Sequence, residues 1–209
     1  MTILKTSTFL TLIVMTVMSC KNKTTNLEPM VSKPDTTKLA ENIPGFSKTL
    51  ELQGFKFEVS TTGEGSIQQL TIKPYGLKID NSTINRDTDG SVTNAEIADL
   101  NSDGYPELLI YTQSAGSGSY GDVIEYSVNV GKSMSSIYFP PITNNPKANK
   151  GYMGHDEFAV GELTLLHRFQ TYNEGDSNSN PTGKNRQIQY KLKGKEASRH
   201  FEVDKIEDY

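Results

Sequence analysis

Phe55-Lys56-Phe57-Glu58-Val59-Ser60 alternates apolar and polar side chains without a break. In an extended chain successive side chains point to opposite faces, so Phe55, Phe57 and Val59 share one face and Lys56, Glu58 and Ser60 the other. That is the pattern of a half-buried β-strand. Working outward, short runs of the same kind recur. Ile67 to Ile72 is one, Leu77-Lys78-Ile79 a second, and Leu108-Leu109-Ile110-Tyr111 a short run that is apolar throughout. Val123 to Val130 alternates, Ser136 to Phe139 is stopped by Pro140-Pro141, and a long run extends from Phe158 to Phe169. Ile188, Tyr190 and Leu192 alternate again, as do Phe201 and Val203. Gly, Asn, Asp and Pro separate the runs, and Asp87-Thr88-Asp89-Gly90 has the composition of a turn. No window carries a long amphipathic helix, although Asn145 to Asp156 has room for a helical turn. The expectation is an all-β fold, an antiparallel β-sandwich or a barrel-like sandwich.

The composition sets limits on function. The 209 residues carry a formal charge of −4, with ten Tyr and eight Phe to build a core. An acidic chain of this kind, with a pI near 5.4, is a poor partner for nucleic acid, whose phosphates require a basic face. The single Cys excludes an internal disulfide and a zinc–thiolate cluster. Three His, remote from one another in sequence, offer no zinc-ligand spacing, and His155-Asp156-Glu157 is expected to be surface or packing. No cluster of residues has the arrangement catalysis needs, so the expectation is a protein that is not an enzyme.

The N-terminus has its own signature. Lys5 precedes an apolar stretch, Thr6 to Met18, too short for a permanent membrane span but suited to a secretory signal. It ends in Val17-Met18-Ser19-Cys20, which resembles the lipobox of bacterial lipoproteins: an aliphatic residue, a small residue, then the Cys. The resemblance implies cleavage before Cys20 and its acylation, with several chains needed for stable anchoring. Lys21 stands where an aspartate often retains lipoproteins at the inner membrane, which resembles an outer-membrane address facing the periplasm. Residues 21 to about 48 are rich in Lys, Thr, Asn, Ser and Pro and are expected to be a flexible tether. The organisation that follows is a signal peptide at 1–19, a lipid-anchored linker at 20–48, a β domain at 49–141, and a β-rich extension at 142–209 packed on the same domain.

Charge is unevenly distributed. Between Arg86 and Lys132 there is no Lys or Arg but there are eight acids: Asp87, Asp89, Glu96, Asp99, Asp103, Glu107, Asp122 and Glu125. They constitute either a solvated surface or one that binds a cation or steers a basic protein. Later, Lys184, Arg186, Lys191, Lys193, Lys195 and Arg199 are opposed only by Glu196. Within the acidic stretch, Asp99, Asn101 and Asp103 stand at first, third and fifth positions with Gly104 at the sixth, as in a loop that converges on calcium. Ile110 occupies the position of the closing Glu of an EF-hand, so a helical EF-hand is rejected, while Glu107 could complete a shorter loop. A turn built from Asx hydrogen bonds uses the same residues. Asp176-Ser-Asn178-Ser-Asn180 has a similar rhythm and is expected to be a plain loop.

Ser114-Ala115-Gly116-Ser117-Gly118-Ser119-Tyr120-Gly121 is the second motif. Its glycines satisfy G-x-G-x-x-G, but a strand follows instead of a helix, so the phosphate-binding helix N-terminus is missing. No His lies nearby to activate a serine. What remains is a Gly/Ser hairpin loop that carries a Tyr. Such a loop either presents a flat, hydroxyl-bearing surface to a partner's cleft or folds its Tyr back on the sheet.

The continuous segment from Ile97-Ala-Asp99-Leu-Asn-Ser-Asp103-Gly104-Tyr-Pro-Glu107 through Leu-Leu-Ile-Tyr-Thr-Gln to Ser114-Ala-Gly-Ser117-Gly-Ser-Tyr120-Gly121 resembles the signature of bacterial periplasmic inhibitors of invertebrate-type (I-type) lysozyme. The resemblance implies an antiparallel β-sandwich and a Ser-Gly-x-Tyr element that enters the lysozyme cleft. Ser117, Gly118 and Tyr120 would be that element, with Gly116 and Gly121 shaping the loop; lysozyme would be the partner, and the membrane would be met only through the lipid anchor. It does not cover residues 142–209.

Two functions follow from different classes. The first is a lipid-anchored inhibitor of lysozyme, most readily I-type, acting through Ser114, Gly116, Ser117, Gly118, Ser119, Tyr120 and Gly121 to protect peptidoglycan. The alternative is a calcium-binding envelope lipoprotein with a structural or adhesive role, using Asp99, Asn101, Asp103 and Glu107, with calcium its one candidate cofactor. Both hold if a metal braces the base of the loop. A glycan-binding lipoprotein that uses exposed Tyr is a third option.

Overall fold

A computed structural model describes residues 45–63 and 65–209. The expected N-terminal signal, Cys20 and most of the expected tether lie outside the described residues. Twelve strands follow one another: β1 (Phe46–Leu52), β2 (Phe55–Thr62), β3 (Ile67–Tyr75), β4 (Ile84–Asp89), β5 (Ser91–Ala98), β6 (Glu107–Gln113), β7 (Gly121–Asn129), β8 (Ser133–Ser136), β9 (Glu157–Val160), β10 (Leu165–Gln170), β11 (Asn185–Lys193) and β12 (His200–Asp208). A one-turn helix, α1 (Pro146–Asn149), sits in the stretch where a helical turn was expected.

The all-β antiparallel expectation holds, and among the described residues no barrel closes. The strands form three four-stranded sheets, each a meander of consecutive strands: β1-β2-β3-β4, β5-β6-β7-β8, and β9-β10-β11-β12. The first hairpin shows how local chemistry sets register. Gln53 and Gly54 both have positive φ, +54° and +84°, the two-residue geometry that matches the twist of paired strands. It pairs Leu52 with Phe55 and carries the alternation of β2 through the sheet.

The second sheet lies between the other two. Leu108 and Ile110 of β6, with Ile124, Tyr126 and Val128 of β7, join Phe57, Val59, Leu70 and Ile72 of the first sheet in one core. Leu109, Tyr111 and Val123 point the other way and join Leu165, Phe169, Ile188, Tyr190 and Phe201 of the third sheet in a second core. The unbroken apolar run Leu108–Tyr111 therefore has a physical cause: β6 is covered on both faces. Polar cross-ties join the layers. Lys48 Nζ donates to Asn94 Oδ1 and to the Ala95 carbonyl, both at 2.8 Å. Glu96 Oε2 accepts from the Tyr111 hydroxyl and, at 2.9 Å, from the Val160 amide.

Several expectations are corrected. Leu77-Lys78-Ile79 is not a strand; Leu77 is buried while Ile79 is 74% exposed, and the segment is a loop whose amides at 78 and 79 donate to the carbonyls of Gly131 and Lys132. Asp87-Thr88-Asp89 belongs to β4, and only Gly90 makes the corner that passes the chain to the second sheet. The run Phe158–Phe169 is two strands joined by a tight turn, closed by the Gly161 amide on the Thr164 carbonyl at 2.7 Å. The tether boundary at 48/49 falls inside β1.

Candidate functional site

The Gly/Ser segment is the loop between β6 and β7, whose pairing ends at Gln113 opposite Gly121. Its base is closed by the Ser114 amide donating to the Tyr120 carbonyl at 2.8 Å and the Tyr120 amide donating to Ser114 Oγ at 3.0 Å. Within the loop the Ser119 amide donates to the Gly116 carbonyl at 2.9 Å. β7 follows directly at Gly121, so no helix N-terminus faces the glycines. Ser117 is exposed, and Tyr120 is 49% exposed. The ring lies over Gly118: a Cβ there would meet Tyr120 Cε2 at 2.4 Å, so only glycine fits beneath the tyrosine.

The far side of the loop rests on the C-terminal third of the chain. The His155 amide donates to the Gly118 carbonyl at 2.7 Å, and Asn178 Nδ2 donates to the Ser117 carbonyl at 2.8 Å. The Gly121 amide donates to Asp156 Oδ2 at 2.7 Å. The same oxygen accepts from the Tyr152 hydroxyl at 2.7 Å, while Asp156 Oδ1 meets His167 Nε2. Asp156 and His167 are buried, and the His167 ring stacks on Phe158 at 4.4 Å. Burial, then the charge of Asp156, holds the Tyr152 hydroxyl protonated far above its ordinary range. Tyr152 in turn meets the Tyr120 ring edge-on at 5.9 Å. Antiparallel pairing of β9 with β10 brings His167 beside Asp156. Sequence reasoning did not name Tyr152, expected Asp156 to be surface or packing, and expected Asn178 to lie in a plain loop. No local signal ties Asp156 and Asn178 to the loop, because the loop groups they bind lie 35 and 61 residues away.

The Asp99–Glu107 turn lies at the opposite end of β6. With a rise of about 3.3 Å per residue, the length of β6 puts it roughly 20 Å from the loop, so a metal there would not brace the loop's base. Asp99 Oδ1 accepts from the Asp103 amide at 3.0 Å and Oδ2 from the Gly104 amide at 2.9 Å. Asp103 Oδ1 accepts from the Tyr105 amide at 2.9 Å, and Oδ2 from Arg199 Nη2 at 2.7 Å. Glu107 faces away from the turn oxygens into the protein, accepting from the Leu100 amide at 2.8 Å and from Ser127 Oγ at 2.7 Å. Calcium requires several convergent free oxygens. Here the carboxylates serve backbone amides, and a buried arginine supplies the positive charge, so the set as arranged does not fit the ion. Among the described residues no group of three or more His, Cys, Asp or Glu is placed to hold a metal.

The acidic surface is also smaller than the residue count implies. Glu107 and Glu125 are buried. Burial pushes the Glu107 carboxyl up to about 7 against the smaller opposing pull of its two hydrogen bonds. It raises Glu125 well above the ordinary range. Asp103 is neutralised by Arg199. Asp87, Asp89 and Asp122 remain exposed. The later basic run is thinned likewise: Arg186 is buried, paired with Asp208 at 2.7 Å and donating to the carbonyls of Lys147, Ala148 and Lys150 around α1.

Comparison with known proteins places the loop in a family context. Residues 60–139 match the family described as periplasmic lysozyme inhibitor of I-type lysozyme. The match runs from within β2 to just beyond β8, covers the whole loop between β6 and β7, and bears out the resemblance carried by Ile97–Gly121. It stops before the third sheet. No curated protein and no solved structure matches the chain.

Proposed function

We propose that the chain, whose residues 60–139 match the family of periplasmic inhibitors of I-type lysozyme, is a lipid-anchored inhibitor of an I-type lysozyme that inserts Ser117–Tyr120 into the enzyme's cleft. The observation that carries the proposal is the loop itself. It lies inside the matched segment, shows Ser117 and half of Tyr120 to solvent, and is closed by hydrogen bonds at its base. A lysozyme cleft holds two carboxyl groups around the scissile sugar bond. The hydroxyls of Ser117 and Tyr120 can donate to such carboxylates. The loop offers no glycosidic bond to cleave, so it blocks without being consumed. Tyr supplies a large contact at small entropic cost, and a loop already held in one shape spends little binding energy on ordering. Asp122, beside the loop at the start of β7, and Asp89, whose neighbour Gly90 packs on the Gln113–Ser114 backbone, are exposed and favour approach of a basic enzyme.

Acylation at Cys20 and an outer-membrane location facing the periplasm complete the proposal. They place the inhibitor beside the peptidoglycan it protects.

The test uses purified residues 21–209 and cell-wall lysis by I-type lysozyme. Inhibition is expected, with Tyr120→Ala weakening it at least about 30-fold, the effect of losing an interface anchor worth 2 kcal/mol or more, while the protein still unfolds cooperatively. Lysis at full rate in the presence of the intact chain refutes the proposal. Glycan binding without lysozyme binding selects the glycan reading instead. Release of the full-length protein from membranes in Cys20→Ala checks the anchor.

A further inference from the structure

The third sheet and its loops lie wholly beyond the family match, yet they hold the inhibitory loop at four points. Two of its carbonyls, Ser117 and Gly118, find their partners there: Asn178 Nδ2 at 2.8 Å and the His155 amide at 2.7 Å. The Gly121 amide is held by buried Asp156, and the Tyr120 ring by Tyr152. The approach is close enough to dictate residue type. Gly154 has φ +88°, and a Cβ on it would lie 2.1 Å from the Gly118 carbonyl oxygen. Asn178 is itself placed by a closed loop. Asp176 accepts from the amides of Asn173 and Thr182, and the Tyr172 hydroxyl donates to the Asn178 carbonyl at 2.8 Å.

From these contacts we infer that Tyr152–Asp156 and Asn178 are positioning residues for the Ser117–Tyr120 loop, so that the C-terminal sheet is a working part of the inhibitory site. This rests on the reading of that loop as the inhibitory element. The loop's own hydrogen bonds close its base and its Gly116–Ser119 turn but leave the Ser117 and Gly118 carbonyls to the brace. A glycine- and serine-rich segment without such a brace populates many shapes. The apparent affinity then falls by the fraction of molecules in the shape that binds. A brace at its centre keeps that fraction high.

The experiment compares the wild-type chain 21–209 with Tyr120→Ala, Asn178→Ala and Asn178→Gln. It reads association and dissociation rates with I-type lysozyme, backbone order parameters of residues 115–119, and the melting temperature. Asn178→Ala is expected to lower the loop order parameters and to weaken binding about five-fold, chiefly through slower association, since binding then requires a conformational change. The melting temperature is expected to hold, because the lost bond is at the surface. Asn178→Gln, which keeps an amide donor, is expected to recover part of the loss.

If Tyr120→Ala abolishes binding while Asn178→Ala binds as wild type, the positioning role is wrong and the inhibitor reading stands. If Asn178→Ala binds weakly with loop order unchanged, Asn178 touches the enzyme directly, and the inference is again overturned. If the wild-type chain binds no lysozyme, both readings fall.

Discussion

Replacing Glu107 by glutamine isolates the cost of one buried carboxylate. Glu107 is fully buried, and desolvation moves its carboxyl from an ordinary 4.5 to about 7 in the folded protein. The folded state therefore holds a proton that the unfolded chain releases. Stability contributed by this group is complete below pH 4.5, falls as pH rises from 4.5 to 7, and is lost above that range. Each pH unit between the two values corresponds to about 1.4 kcal/mol, so the ionised carboxylate costs the folded protein about 3 kcal/mol at pH 8. Glutamine fits the site of the neutral acid. Its carbonyl accepts from the Leu100 amide, and its NH₂ donates to Ser127 Oγ, replacing the two hydrogen bonds now made. At pH 4 the variant is expected to match the wild type. At pH 8 it is expected to be more stable by about 3 kcal/mol, or roughly 6–12 °C in melting temperature for a domain of this size. Urea unfolding of both proteins from pH 4 to 8 measures the difference. Glu125 adds a slope of the same sign to both, so it cancels in the comparison. Parallel pH profiles for the two proteins would refute the assignment of Glu107 as a desolvated acid.

Three further outcomes are expected. Calcium at millimolar concentration should leave the melting temperature of residues 21–209 unchanged, because Arg199 and backbone amides already occupy the turn's oxygens; a calcium-dependent rise that Asp103→Ala removes would restore the calcium reading. Gly154→Ala should lower stability by about 1–3 kcal/mol, from strain at φ +88° and contact with the Gly118 carbonyl, and should weaken inhibition in the same variant; unchanged thermal unfolding would contradict the close approach. A chain ending at Pro141 should bind hydrophobic dyes and aggregate, since it uncovers Leu109, Tyr111 and Val123; a soluble, cooperatively folding fragment would show that the second core is dispensable.

The alternation of Phe55–Ser60, and of the runs that follow it, determined the β class without reference to any other part of the chain. Side-chain period is a local property of extended backbone, and glycine and proline mark its ends. The same locality made the loop at Ser114–Gly121 legible and ruled out a phosphate-binding helix, because a strand pattern resumes at once. Local pattern misled where a short apolar pair serves a loop, as at Leu77–Ile79, and where a turn composition sits inside a strand, as at Asp87–Asp89.

What only the tertiary structure decided is what covers each face. The run Leu108–Tyr111 is apolar on both sides because a third sheet closes over the second, and that covering sheet is supplied by residues more than forty positions downstream. The same closure takes Glu107 and Glu125 out of the acidic surface and carries Arg199 onto Asp103. It also sets Asp156 and Asn178 under the loop. Burial, ionisation and bracing depend on contacts between strands far apart in the chain, and a one-dimensional pattern contains the faces but not their neighbours.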